Sequence, residues 1–524
     1  MDTMRSGVSS LRIAALLAVI SLATVAAAPA GQMGAKAAPI EAVTINAQGP
    51  AEPFPHYWER MFGSGRAVLA LRADYRKDMR AVKRATDFDY LRFHGIFDRG
   101  VGLYHVGADG KPDYNFSYVD QIYDGLLANG IRPYVELSFM PRALASSPVQ
   151  QGFWYHPYVA PPKNWNQWGS LIRHFAQHLV ARYGIDEVSH WYFEVWNEPN
   201  IGFWAGKPKQ ATYFKLYDTA ARALKSVNPR LRVGGPATAQ AAWVSAFIRH
   251  CVENNVPVDF VSTHVYGNDS AQNVFGTSRP ISRQEMVIRA VEKVHREVAE
   301  SERPGLPIIF SEYNASYKNE SDVTDSAFMG PWLAHTIKQC AGMVKILAYW
   351  DFSDVFEEQG VVKRPFYGGF GLMAEDDIPK ASYNVFALLH RLGTERLAAS
   401  SGPDGGDAKS VLATKRAGGT LAIALWNYAP PAKTGPGKTF NLSIENPGAL
   451  RHAVIWRVDR HHGSALTAWK AMGEPDFPTR GQIELLREAG RLPAPEIRDL
   501  PSGNTAPLSL TLPSHGFALV EIEP

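Results

Sequence analysis

From about residue 60 to residue 392 two apolar patterns alternate along the chain. Short runs rich in β-branched and aromatic residues recur at 67–71, 90–94, 132–137, 191–196, 231–235, 260–265, 308–312 and 346–351. Longer segments separate them, near 75–85, 118–129, 164–183, 212–227, 241–252, 283–300 and 326–341, with one more near 383–392. In these, apolar residues return every three or four positions. The first pattern fits a strand covered on both faces and the second an amphipathic helix. The segment 164–183 is the plainest case. Trp168, Leu171, Ile172, Phe175 and Leu179 share one helical face, and Gly184 after Arg182 and Tyr183 marks the stop. Eight strand–helix units in succession predict an α/β fold, a parallel sheet closed as a (β/α)8 TIM barrel. An open doubly wound sheet is the alternative. It is weakened because no glycine-rich dinucleotide turn follows the first strand.

Past about residue 391 the alternation ends, and Gly- and Pro-rich sequence carries short strand-like runs at 420–426, 453–458 and 517–522. That pattern predicts an accessory antiparallel β-sandwich over residues 392–524. A similar run at 42–47 precedes the barrel, so residues 31–55 read as an arm that joins the sandwich, leaving 56–391 for the barrel. Residues 1–30 differ again. Arg5 and Arg12 flank a polar start, an apolar run covers 13–25, and Ala-x-Ala spacing follows at Ala26/Ala28 and Ala28/Ala30. This is the layout of a secretory signal peptide, and the run falls short of the ~20 residues of a membrane span. It predicts export to the periplasm or the exterior, with no stable membrane insertion after cleavage.

Composition narrows the picture. With 524 residues, 45% apolar and 20% charged, the chain has material for a large core. A net charge of +3 without a basic block excludes a dedicated nucleic-acid binder. Two cysteines, Cys251 and Cys340, are too few for a disulfide framework and too few to suggest a zinc site.

Barrel enzymes carry their chemistry at the C-terminal ends of the strands. Two glutamates meet that rule. Glu198 lies in Trp196-Asn197-Glu198-Pro199-Asn200 directly after the fourth strand, where Pro199 cannot extend the ladder. Glu312 ends the seventh, in Ile309-Phe310-Ser311-Glu312-Tyr313-Asn314. Strands four and seven face each other across the mouth, and two carboxylates there suit glycoside hydrolysis. A metal-dependent hydrolase would need clustered His and Asp ligands, such as His-x-His after strand one, which this sequence lacks.

Other residues have two readings each. His94 and His264 end strands two and six and either touch a sugar or serve the framework. Arg92 pairs with Glu312 or Glu194, holding a nucleophile ionised or forming a buried structural pair. Glu194 reads as barrel interior, because alternation puts it on the same face as Glu198. Tyr266 and Trp350 are sugar platforms or core, and Glu358, rather than Glu357, is the candidate acceptor for sugar hydroxyls. Trp154, Tyr155, Trp165 and Trp204 line an outer subsite or pack loops. The run Glu375-Asp376-Asp377 reads as a solvated loop.

The run Trp191-Tyr192-Phe193-Glu194-Val195-Trp196-Asn197-Glu198-Pro199-Asn200 resembles the acid/base strand of glycoside hydrolase family 39, which holds β-xylosidases and α-L-iduronidases. Gly63-Ser64-Gly65-Arg66-Ala67, Arg92-Phe93-His94-Gly95, His264-Val265-Tyr266-Gly267 and the stretch from Phe352 to Gly360 resemble family segments too. The likeness covers the whole barrel. The late stretch and residues 365–372 look closer to the bacterial β-xylosidase branch. The resemblance implies that Glu198 is the acid/base, Glu312 the nucleophile, and Asn197 a partner of the sugar 2-hydroxyl. It implies a retaining exo-β-xylosidase acting on xylo-oligosaccharides from xylan or on related glycosides, with no cofactor and no metal. It also allows a homo-oligomer formed through the accessory sheet. The alternatives are another specificity (arabinosidase, β-glucosidase-like, iduronidase-like or endo-acting) and a non-catalytic sugar-binding protein on an enzyme scaffold. The last would be expected to lack one carboxylate, and both are present.

Overall fold

The computed structural model describes residues 39–402, 404–431 and 433–523. The segment read as an export signal lies outside them. Eight parallel strands close into a barrel: Met61–Arg66, Tyr90–His94, Arg132–Glu136, Tyr192–Glu194, Arg232–Thr238, Phe260–Tyr266, Ile308–Asn314 and Ile346–Tyr349. The seam closes where Tyr349 pairs with Phe62. Helices follow the strands at Ala73–Thr86, Ser117–Leu127, Trp165–Tyr183, Lys209–Val227, Val244–Glu253, Arg283–Ala299, Met329–Cys340 and Ala381–Leu389. The clearest sequence helix behaves as its pattern demands. Asn164 caps it by accepting from the amides of Asn166 and Gln167, and Leu171, Ile172, Phe175 and Leu179 are fully buried. At about 1.5–3 kcal/mol per side chain, those four bring on the order of 6–12 kcal/mol of gross burial.

The first strand is the exception. Residues 67–71 form a 3-10 turn, and the strand is the preceding Met61–Arg66. Its two glycines are sterically required. A Cβ at Gly63 would lie 2.1 Å from Trp350 Cε3, and one at Gly65 2.6 Å from the Phe356 carbonyl oxygen. The β-branched residues that normally mark a strand do not fit here.

Inside the barrel the layers change character. Met61, Tyr90, Tyr134, Tyr192, Phe260, Ile309 and Ile346 plug the N-terminal end. Above them the interior turns polar, with Arg92, Glu136 and Glu194 fully buried. That polar layer is the floor of the site.

The accessory part is two packed sheets. The five-stranded one runs Gly406–Asp407, Ala399–Ser401, Ile40–Asn46, Lys438–Glu445, Thr505–Leu512. The seven-stranded one runs Ala51–Pro53, Glu395–Leu397, Val411–Lys415, Leu421–Trp426, Phe517–Glu523, His452–Val458, Glu496–Asp499. The run before the barrel is therefore the central strand of the first sheet, and it lies parallel to Lys438–Glu445 in an otherwise antiparallel pair of sheets. Two helices unforeseen in the sequence, Leu466–Ala471 and Arg480–Gly490, interrupt the sandwich. They bury Leu466, Trp469 and Leu486 against Phe366 and Ile378 of the barrel's last loop. The acidic run 375–377 is only partly solvated: burial pushes the Glu375 carboxyl up to about 8, and Asp377 binds Arg487. No helix among the described residues is long and apolar enough to cross a membrane.

Candidate active site

Strand four stops pairing at Glu194, well before the proline expected to end it. Trp196 (φ +74°) and Glu198 (φ +43°) are left-handed, so the backbone twists out of the ladder and the simple alternation argument fails beyond Glu194. The surroundings impose this path. The Trp196 indole packs among Trp168 and Trp204 and donates to the Phe203 carbonyl at 2.7 Å. The Asn200 amide exchanges two hydrogen bonds with the backbone of Ala239. The result is a Glu198 carboxyl aimed into the mouth. Glu312 arrives from strand seven beside His264, with which it is in register across the sheet after a bulge.

Arg92 organises the floor. Its guanidinium lies 2.6 Å from Glu194, 2.6 Å from Glu136 and 2.7 Å from Glu312, and it donates to Asn197 Oδ1 at 3.1 Å. It thus pairs with both glutamates the sequence offered, and with Glu136 besides. Glu312 has each oxygen held: Oε1 by Arg92, Oε2 by the Tyr266 hydroxyl at 2.6 Å. Burial raises the Glu312 carboxyl, and Arg92, His94 and Tyr266 pull it back. Glu198 has less support. Burial first, then the charge of Glu312 and that of Asp269, push it well above the ordinary carboxylate range. Two carboxylates side by side with unequal surroundings are the pattern that separates an acid from an ionised partner.

His264 fixes the proton. It is fully buried, and burial together with Arg92 and His94 depresses its pKa far below the usual imidazole value. The Ser311 hydroxyl donates to Glu194 at 2.6 Å, so at 3.1 Å it accepts from His264 Nε2–H. Nδ1 then carries a lone pair, and it faces Glu198 Oε1 at 3.1 Å. Only a protonated Glu198 satisfies that contact.

An oxygen of Glu198, an oxygen of Glu312 and a nitrogen of His264 lie within 4.8 Å of one another. Such a trio resembles a metal donor set, but both His264 nitrogens are engaged and the Arg92 cation already occupies Glu312. The arrangement is built for hydrogen bonds. A second trio among the described residues, His56, Glu59 and His390, is tied by imidazole–carboxylate hydrogen bonds of 2.7 and 2.9 Å.

The cleft above has a volume of about 400 Å³. His94, Asn197, Glu198, Tyr266, Glu312, Trp350 and Glu358 all line it. Of the residues singled out in the sequence, Arg92 and His264 sit behind the carboxylates. The outer aromatics are elsewhere: Trp204 and Tyr155 are buried in loop packing, Trp165 begins a helix beneath Lys215, and Trp154 stacks near Arg66. Their places on the wall are taken by Phe153, Phe203 and Phe370, whose loops carry no periodic signal. Asp269 and Gln240 were also missed; burial pushes Asp269 up to about 6. Glu136 was within reach of the sequence, since it ends strand three as Glu312 lies near the end of strand seven. It accepts from His94 Nδ1 at 2.8 Å.

The sequence profile of glycosyl hydrolases family 39 matches residues 41–502. A β-xylosidase of Geobacillus stearothermophilus is 38% identical over 484 residues, 90% of this chain and 94% of that protein. One from Caldicellulosiruptor saccharolyticus is 35% identical over 92% of this chain and 98% of its own length. The solved structure of a monomeric β-xylosidase from Caulobacter crescentus CB15 has 33% identity and a TM-score of 0.82, covering 92% of this chain and 99% of that one.

Proposed function

The chain belongs to glycosyl hydrolases family 39 and is a glycoside hydrolase, and on that premise we propose that it is an exported, retaining β-xylosidase releasing xylose from the ends of xylo-oligosaccharides or related glycosides. The observation that carries the retaining reading is the carboxylate spacing. Oxygens of Glu198 and Glu312 approach within 4.8 Å. Direct attack by a carboxylate calls for about 5–5.5 Å, whereas an intervening water needs roughly 6.5–9.5 Å.

Glu312, kept anionic by Arg92 and Tyr266, attacks the anomeric carbon while Glu198 protonates the departing oxygen. Formation of the glycosyl ester consumes the charge on Glu312. Glu198 then loses its proton more readily and activates the water that cleaves the ester. Asn197 has its carbonyl oxygen occupied by Arg92, which leaves the amide N–H groups for the sugar 2-hydroxyl. The xylose reading rests on the β-xylosidases similar to this chain. Action at chain ends fits a cleft at the small end of ligand-sized sites, which run from roughly 300 to 1,000 Å³. The signal-like segment supports export.

The test is hydrolysis of an aryl β-D-xyloside by wild type and by Glu312→Ala, with and without azide. Wild type should cleave it, the variant should lose about four orders of magnitude in kcat, and azide should restore turnover to the α-xylosyl azide. Near wild-type activity in the variant would remove Glu312 from the mechanism. Cleavage of a different aryl glycoside would correct the sugar alone.

A further inference from the structure

Glu358 lines the cleft, and the double displacement leaves it without a task. It is buried, its Oε1 has no hydrogen-bond partner within the protein, and His94 Nε2 lies 3.5 Å from that oxygen. A sugar hydroxyl is the chemistry that would complete it. Its position is not set by a regular element, because it sits in the loop after strand eight behind Glu357, whose φ is +63°. A left-handed glutamate persists only where its surroundings hold it. Those surroundings converge on Arg66, the last residue of strand one. Arg66 Nη2 binds Glu357 Oε2 at 2.8 Å, and Arg72 takes the other oxygen. The Arg66 guanidinium also lies 5.5 Å from the ring centre of Trp154 and 5.1 Å from that of Tyr155, within cation–π range. The Trp154 amide in turn donates to the Glu358 carbonyl at 2.8 Å. The loops after strands three and eight are thus joined through one side chain from strand one.

We infer that Arg66 is a positioning residue for the sugar pocket: by binding Glu357 and lying over Trp154 and Tyr155 it fixes the Glu357–Glu358 peptide and aims the Glu358 carboxyl at the bound sugar. This rests on the glycosidase reading of the cleft. Arg66 touches neither reacting carboxylate, so it acts on binding and leaves the bond-breaking step nearly untouched.

The experiment measures kcat and KM for Arg66→Met, Arg66→Lys and Glu357→Gln on whichever aryl glycoside wild type cleaves fastest. A wrong sugar then overturns the xylosidase reading while this test still runs. Arg66→Met should raise KM about tenfold, the scale of one hydrogen bond to a charged group, with kcat within about threefold of wild type. Arg66→Lys, which keeps a cation but not the fork, should fall between. Glu357→Gln cuts the same tie from the other side, should move KM the same way, and carries the test if Arg66→Met does not fold. In a Glu358→Gln background, Arg66→Met should add less than about twofold, because coupled residues are not additive. A folded Arg66→Met enzyme with wild-type KM, or a KM rise that persists in full in the Glu358→Gln background, overturns the inference.

Discussion

Two carboxylates within 4.8 Å of each other cannot both ionise cheaply, and their neighbours decide which keeps the proton. Here the division is legible atom by atom. Glu312 receives a cation and a phenol hydroxyl, while Glu198 receives only an imidazole lone pair. Activity should therefore fall at high pH as Glu198 ionises and at low pH as Glu312 takes a proton, a bell. Tyr266→Phe separates the two limbs. It removes a hydrogen bond to the charged form of Glu312, so that carboxyl titrates higher and the acid limb of kcat/KM moves to higher pH. Tyr266 does not touch Glu198, so the alkaline limb should stay. A pH–rate profile across roughly pH 4 to 9 decides it; movement of the alkaline limb alone would reverse the assignment. The residues that read clearly in the sequence, Glu198 and Glu312, are those near a strand end with a distinctive neighbourhood, and Asn197 came with them through the family resemblance. Those that did not, such as Phe153 and Phe370, come from loops whose course depends on packing between distant segments. His264 was found, but its place behind the carboxylates depends on a bulge that no sequence pattern announces.

At the scale of elements, the pattern of apolar residues located strands two to eight because each must be covered on both faces, and that requirement shows as a β-branched or aromatic run. Strand one hides because it is covered by something too large to share space with it. Trp350 lies against Gly63 so closely that the strand surrenders its side chain, and strand signal and packing requirement oppose each other. The same contact places the indole on the wall of the cleft. Gly63→Ala should therefore act twice. Overpacking costs about 1–3 kcal/mol of stability, and the displaced indole should weaken sugar binding. Thermal melting together with KM measures both. A variant that melts lower but binds as wild type would show that Trp350 forms core at that position and no part of the sugar platform. The helices Leu466–Ala471 and Arg480–Gly490 illustrate the opposite failure. They are short, and their partners Phe366 and Ile378 lie about a hundred residues away in sequence.

The described residues are layered from barrel to outer sheet, and the layers are coupled. The five-stranded sheet packs on the seven-stranded one over Val43, Ile45, Leu442, Ile423 and Val520. The other face of the seven-stranded sheet, through Ala424, Trp426, Phe517 and Leu519, belongs to the same continuous core as the barrel helices. The strand Ile40–Asn46 is the centre of the outermost layer, paired on both edges. Ile45, fully buried between Ala399 and Ile444, has no route to water. An aspartate there loses about 1.5–3 kcal/mol of apolar burial and must also hide an unpaired carboxylate or stay protonated. If the layers share one cooperative unit, Ile45→Asp should lower the melting temperature of the barrel as well as the sandwich, in a single transition, although every residue lining the cleft lies beyond position 90. At temperatures well below that transition kcat/KM should match wild type, because nothing in the outer sheet touches the carboxylates. Calorimetry can show the contrary. Two separated transitions, with loss of activity following only the second, would mean that the barrel stands without its sandwich and that the shared core contributes little to holding the site.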